Sequence, residues 1–215
     1  ASNMLLNLNN FGPYGTYNKT TGITLVPFAT EAGITEASLL ANNVDVFFVG
    51  SSAADATTSA DKVSTALNTR LITWAQNNNK SIFALQNNAI DYGYTITNNN
   101  VNPNTPSGTI GTNTYTNGYW PTPSLNQSGV IQMTIQSTTR QFDILMTDAN
   151  LRPVVITDRG YNLLIFPDAT IYNDESGMVT PTTNDQKAIA DTWTYFFDRF
   201  VAPQCTTLDT DGDGI

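Results

Sequence analysis

Three short apolar runs, separated by segments of helical character, constrain the fold of this chain most strongly. The runs are Met4–Leu8, Val44–Val49 and Ser81–Leu85, and the segments between them include Thr35–Leu40 and a longer stretch that ends near Trp74. Strands that alternate with helices pair in parallel through right-handed crossovers. Their runs are continuously apolar when both faces of the sheet are covered. The N-terminal part therefore predicts a β-α-β-α-β unit, in an α/β fold with a parallel sheet flanked by helices.

The longer helix is predicted from apolar residues that recur at helical spacing. Either Ser59 or Asp61 is the expected N-cap, and the run Asn77–Asn79 is the expected end. For the shorter helix, Thr35 followed by Glu36 gives a cap and a first turn. The buried face of the longer helix is expected to contain Val63, Ala66, Leu67, Leu71 and Trp74.

The second half of the chain predicts a hairpin and a terminal helix. Asn98–Gln127 is rich in Asn, Thr, Gly and Pro, and it is either a surface insertion or a β-hairpin. The tight turn Arg159–Asn162 predicts that the two strands beside it form a hairpin. The predicted strands are Val130–Ile135, Phe142–Leu145, Val154–Thr157 and Leu163–Phe166. The apolar face of the terminal helix is expected to contain Ile189, Trp193, Phe196, Phe197 and Phe200.

Charge and cysteine content exclude several classes of protein. The net charge is −9 with nine basic residues in the whole chain, so no basic patch for nucleic acid or for an anionic membrane surface is expected. No apolar run is long enough for a transmembrane span. Ala1 is either a mature start after removal of a signal peptide or a start derived from a tag. Cys205 is the only cysteine, and it is either a free thiol or pairs with a cysteine outside this sequence.

The last residues contain the most specific motif. Asp209, Asp211 and Asp213 alternate with Thr210 and Gly212, and alternate carboxylates converge on one hard cation in a tight loop. Calcium prefers six to eight oxygen ligands, so calcium is the predicted metal. A disordered acidic tail is the alternative, and the two interpretations are compatible.

The motif resembles the start of a thrombospondin type 3-like repeat more than an EF-hand loop, because Ile215 directly follows Gly214. The run also follows Cys205 and a threonine-rich lead-in. The resemblance implies a secreted, cell-surface protein of bacterial type, with residues 1–202 as one α/β domain and 203–215 as a linker and the start of the calcium repeat.

Residues 1–201 also resemble the class I glutamine amidotransferase-like fold, including its trehalose-utilisation (ThuA-like) relatives, and the wider flavodoxin-like architecture. The segments that carry the resemblance are Val44–Gly50, Leu67–Asn87 and Leu163–Asp174. That family places a nucleophilic Cys in the turn after the third strand, where this chain has Leu85-Gln86-Asn87-Asn88. It uses a His as base, and this chain contains none. The resemblance therefore implies the fold without the catalytic residues, a pseudoenzyme.

A ligand is expected at the carboxyl ends of the parallel strands. Amides and aromatic rings in this rim suit sugars, although ordinary polar loops contain the same residues. The expected rim residues are Asn10, Tyr14, Ser51, Ser52, Gln86, Asn87, Asp91 and Tyr92. An exposed aromatic surface at Tyr115, Tyr119 and Trp120 is a further option.

The predicted function is adhesion, scaffolding or ligand recognition by an extracellular domain, with a glycan or a protein as partner. The alternative is a carbohydrate-binding or carbohydrate-hydrolysing domain, because pairs of carboxylates hydrolyse glycosides. The candidate carboxylates are Asp91, Asp143, Asp148, Asp158, Asp168 and Asp174.

Overall fold

The computed structural model describes residues 24–50, 63–97, 109–110, 132–135, 142–147, 153–166 and 196. It contains two α-helices, two 3-10 helices and eight strands in this part of the chain. The α-helices are α1 (Glu36–Ala41) and α2 (Thr65–Asn78), and the 3-10 helices are Glu31–Gly33 and Gln86–Tyr92. The strands are β1 (Val46–Val49), β2 (Ser81–Leu85), β3 (Tyr94–Thr97), β4 (Thr109–Ile110), β5 (Gln132–Ile135), β6 (Phe142–Thr147), β7 (Pro153–Asp158) and β8 (Leu163–Phe166).

The main sheet has six strands in the order β1-β2-β8-β7-β6-β4. β1, β2 and β8 are parallel, whereas β7, β6 and β4 continue the sheet in antiparallel pairs. β7 and β8 form the predicted hairpin, and Asn162 in its turn has a φ of 48°. Positive φ suits asparagine better than most residues. The predicted class, an α/β fold with a parallel core and a hairpin in its second half, is confirmed.

The parallel core is covered on both faces, which explains the continuously apolar sequence of β2. All five residues of β2 are buried. Successive side chains of a strand point to opposite faces. Ile82 belongs to the cluster that contains Trp74 of α2, whereas Phe83 packs edge-to-face against the helical residue Phe196 at 6.3 Å. The strand is therefore buried between helical residues on its two faces.

Both α-helices begin at a hydroxyl cap. Thr35 caps the start of α1, as predicted, and forms a reciprocal capping box with Ser38. α2 is capped by Ser64, whose Oγ accepts from the N–H of Leu67 at 3.1 Å. The prediction of Ser59 or Asp61 was wrong, because the helix begins later than the apolar spacing from Val63 suggested.

The predicted end and most of the predicted face of α2 are confirmed. The helix ends at Asn78, and Asn79 caps it in the left-handed conformation with φ 51°. Leu67, Leu71 and Trp74 are buried, whereas Ala66 is exposed. The buried face is completed by Asn68 and Ala75. The helix therefore presents a polar side chain to the core beside its apolar ones.

A separate two-stranded antiparallel sheet, β3 with β5, interrupts the sequence between β2 and β6. We call it the ribbon. Its four residue pairs run from Tyr94 with Ile135 to Thr97 with Gln132, so it brackets the Asn-rich segment. Thr109–Ile110, within that segment, forms β4 at the edge of the main sheet. The strand Tyr94–Thr97 was not predicted from the sequence.

Several predicted elements lie outside the described residues, namely the strand Met4–Leu8, most of the terminal helix, and residues 203–215. Of the terminal helix, Phe196 is described, and it is helical and fully buried as predicted. In the part of the chain that the structure describes, no helix has both the length and the hydrophobicity to cross a membrane.

Candidate functional site at the carboxyl end of strand β2

The candidate site lies where the parallel strands β1 and β2 end. Their register aligns Val49 with Ala84, so Gly50 and Leu85 lie at the same edge of the sheet. The 3-10 helix Gln86–Tyr92 begins directly after β2, and the start of α2 lies beside it. Ligands of open parallel sheets bind at such carboxyl edges.

Asn88 occupies the centre of this edge and is fully buried. Its Nδ2 donates to the carbonyl oxygen of Leu85 at 2.8 Å and to that of Gly50 at 3.1 Å. Its Oδ1 accepts from the N–H of Val63 at 3.2 Å and from Nδ2 of Asn68 at 3.4 Å. The side-chain amide thus joins the ends of both strands to the segment that enters α2.

Asp91 and Asn68 connect the same 3-10 helix to α2. Asn68 Nδ2 donates to Asp91 Oδ2 at 2.7 Å, and the hydroxyl of Thr65 donates to Asp91 Oδ1 at 3.0 Å. Asp91 therefore lies beside the first turn of α2, where the helix dipole stabilises a negative charge. Both oxygens of this half-buried carboxylate hold the helix in place.

Tyr92 completes the hydrogen-bonded cluster. Its hydroxyl donates to Oδ1 of Asn68 at 2.8 Å, and the side chain is 1% exposed. Burial raises the pKa of the Tyr92 phenol above its ordinary value, and the negative charge of Asp91 raises it further. The phenol therefore remains a protonated hydrogen-bond donor. We refer to Thr65, Asn68, Asn88, Asp91 and Tyr92 together as the amide cluster.

The expected rim residues fall into three groups. Asp91 lies at the rim with its oxygens bound to α2, whereas Tyr92 is buried in the core. Gln86 and Asn87 form the start of the 3-10 helix, and the structure describes their backbone. Asn10, Tyr14, Ser51 and Ser52 lie outside the described residues.

The other candidate carboxylates that are described do not gather at this edge. Asp143 forms a bidentate ion pair with Arg159, with both hydrogen bonds at 3.0 Å. Asp158 accepts from the hydroxyl of Tyr94 at 2.6 Å and from the N–H of Gly160 at 2.9 Å. Asp143 is in register with Thr157, so the side chains of Asp143 and Asp158 point to opposite faces of the sheet.

The remaining expected positions lie outside the described residues. They are Asp148, Asp168 and Asp174, the aromatic residues Tyr115, Tyr119 and Trp120, Cys205, and the calcium ligands Asp209, Asp211 and Asp213. Among the residues that are described, no three acidic or cysteine side chains are grouped in a way that would hold a metal ion.

Sequence reasoning missed the two asparagines that organise the cluster. Asn68 lies three residues before Leu71 and seven before Ala75, which places it on the buried face of α2. A polar residue at a core position of an amphipathic helix needs a partner, and that pattern was a usable signal. Asn88 carried no comparable signal, because it follows two other polar residues in a turn.

Among known proteins, matches are found in solved structures. No protein-family model matches this chain, and no curated protein matches it either. Eleven chains of solved structures match. One of them is a Thermoplasma acidophilum protein described as a GMP synthase component, with 9% sequence identity and a TM-score of 0.46, covering 75% of this chain and 76% of that one.

Proposed function

We propose that residues 1–202 form a non-catalytic recognition or scaffolding domain of an extracellular, cell-surface protein, and that the aspartate run after it binds calcium. The domain would be an amidotransferase-like pseudoenzyme of the ThuA-like type, with a glycan or a protein as partner. The observation that supports the non-catalytic part of the proposal is that the hydrogen bonds of the Asn88 side chain go to neighbouring groups of the protein.

The amide cluster argues for a structural role of the strand edge. A nucleophile needs an adjacent base, and the chain contains no histidine at all. Asn88 and Asn68 are fully buried, and Asp91 has both oxygens in hydrogen bonds to α2. Side chains held in this way fix the loops of the edge in place. A fixed edge supports recognition by its surface rather than proton transfer.

Calcium binding is proposed from the sequence Asp209-Thr210-Asp211-Gly212-Asp213. Oxygen ligands at alternate positions suit calcium, and the low pI of about 4.1 favours association with divalent cations. In a thrombospondin type 3-like array, bound calcium would tie successive acidic loops together and stiffen the connection to the cell surface.

Titration calorimetry with calcium chloride tests the metal proposal. The 215-residue chain is expected to give a saturable heat that EGTA reverses, and the triple variant Asp209→Asn, Asp211→Asn, Asp213→Asn is expected to give none. The triple variant preserves side-chain size while it removes the three charges. Equal heats for the two proteins, or no heat for either, would refute calcium binding at this run.

Glycan-array binding and glycoside hydrolysis distinguish recognition from the alternative, a carbohydrate-hydrolysing domain. The labelled chain is expected to bind a restricted set of glycans or immobilised surface proteins, and to release no nitrophenol from a panel of nitrophenyl glycosides. Hydrolysis that disappears in Asp91→Asn but survives in Asp143→Asn would overturn the non-catalytic proposal and establish the alternative.

A further inference from the structure

The ribbon is a small sheet that depends on the rest of the domain. It has four residue pairs, and its hydrogen-bonded ladder is separate from that of the main sheet. An isolated two-stranded sheet is marginally stable at best in water. The ribbon must therefore take its stability from the surface on which it is docked.

Tyr94, the first residue of the ribbon, makes a docking contact that the structure describes in full. Tyr94 is 1% exposed and belongs to the same core cluster as Ile156 of β7 and Leu163 of β8. Its hydroxyl donates at 2.6 Å to Oδ2 of Asp158, which is fully buried at the end of β7. β5 also contacts β7. This hydrogen bond fastens the base of the ribbon to the β7–β8 hairpin.

The acceptor is itself held in place by the hairpin turn. Oδ1 of Asp158 accepts from the N–H of Gly160 at 2.9 Å, which fixes the carboxylate in that turn. Hydrogen bonds to charged groups contribute more than neutral ones, and a buried carboxylate that loses a donor is strongly penalised. Undocking of the ribbon therefore includes the loss of a hydrogen bond to a buried carboxylate.

We propose that the ribbon is a separately opening unit, and that the hydrogen bond between Tyr94 and Asp158 controls its opening. Opening releases β3 and β5 while β1, β2, β8 and α2 remain folded. Proteins open locally in contiguous units of this kind, which often coincide with supersecondary motifs. The proposal rests on the fold and does not depend on the proposed function.

Hydrogen exchange with two matched tyrosine variants tests the proposal. Tyr94→Phe removes the bond to Asp158, and Tyr92→Phe removes an equally buried hydroxyl that binds Asn68 instead. In Tyr94→Phe the amides of β3 and β5 are expected to exchange roughly 10- to 100-fold faster. In Tyr92→Phe the amides of β2 and β8 are expected to accelerate while those of the ribbon stay unchanged, because the bond to Asn68 survives ribbon opening.

Two results would overturn the proposal. One is equal acceleration of ribbon and β2 amides in Tyr92→Phe, which means that the ribbon opens only with the whole domain. The other is an unchanged ribbon in Tyr94→Phe. Should Tyr94→Phe fail to fold, hydrogen exchange of the wild-type chain in low denaturant tests the proposal instead. If the amides of the ribbon and of β2 then show the same opening free energy, the ribbon is not a separately opening unit.

Discussion

The side-chain amide of Asn88 donates to the carbonyl oxygen of Gly50 at 3.1 Å, and thereby ties the 3-10 helix after β2 to the end of β1. The two residues are far apart in sequence and meet because the parallel strands end at one edge. This edge is where open α/β sheets usually present their reactive groups. Here the same position stabilises the fold.

Asn88→Ala is expected to lower the free energy of unfolding by about 3 kcal/mol, because it removes the partner of one buried and two partly buried backbone groups. Urea denaturation followed by tryptophan fluorescence measures the change. Asn42→Ala is the control, since Asn42 is exposed and its side chain bonds to the carbonyl of Ser38. The control should change stability by no more than about 0.5 kcal/mol. Similar losses in both variants would contradict a central role for Asn88.

Tyr92 is expected to make the domain less stable at alkaline pH. Its pKa is raised in the folded state, chiefly by burial, whereas in the unfolded chain the phenol ionises near pH 10. The stabilisation is therefore complete below about pH 10 and is lost as the pH rises further, by up to about 1.4 kcal/mol per pH unit. Urea denaturation between about pH 9 and pH 11 should show a shallower decline for Tyr92→Phe than for the wild type. Equally steep declines in the two proteins would contradict the assignment of the alkaline loss of stability to Tyr92.

Ser64→Ala is expected to destabilise the domain by about 1 kcal/mol, because the N–H of Leu67 loses its cap. Thr69→Ala provides the matched control within the same helix. Thr69 is exposed and its hydroxyl bonds back to the carbonyl of Thr65. Alanine has the higher helix propensity, so this control should be neutral or stabilise by up to about 0.5 kcal/mol. Thermal denaturation of the two variants measures both changes in stability. A neutral Ser64→Ala would contradict the assignment of Ser64 as the N-cap of α2.

Phe83 and Phe196 are expected to be energetically coupled by about 1 kcal/mol, since their rings pack edge-to-face at 6.3 Å and both are fully buried. A double-mutant cycle with Phe83→Leu and Phe196→Leu measures this coupling. Phe28 packs against Phe47, on the opposite face of the sheet from Phe83. A cycle of Phe28→Leu with Phe196→Leu should therefore be additive to within about 0.5 kcal/mol. Equal coupling energies in both cycles would contradict a specific interaction between Phe83 and Phe196, because they would indicate that the substitutions loosen the core in general.

The elements that the sequence predicted correctly are those with a local signal. Leu67, Leu71 and Trp74 recur at helical spacing, which predicted α2, and the uninterrupted apolar residues Ile82–Leu85 predicted β2. The turn at Asn162 predicted the β7–β8 hairpin for the same local reason.

The elements that the sequence did not predict depend on distant partners. β3 became a strand because Tyr94–Thr97 pairs with Gln132–Ile135, and nothing in the neighbouring residues indicates such a partner. The two asparagines of the amide cluster were missed because Asn68 and Asn88 meet only after α2 has packed on the sheet. From the sequence alone, a polar residue of a turn that becomes buried cannot be distinguished from its exposed neighbours.

The position of β8 has a consequence for how the chain acquires its structure. β8 lies between β2 and β7, and its parallel register pairs Ile82 with Leu163. During synthesis, β1, α2 and β2 emerge well before the strand that completes the centre of the sheet. The edge of β2 that later pairs with β8 therefore keeps its backbone N–H and C=O groups unpaired, beside apolar side chains, until that late segment is made. Such exposed edges pair with other chains. Contacts over so long a span also slow folding.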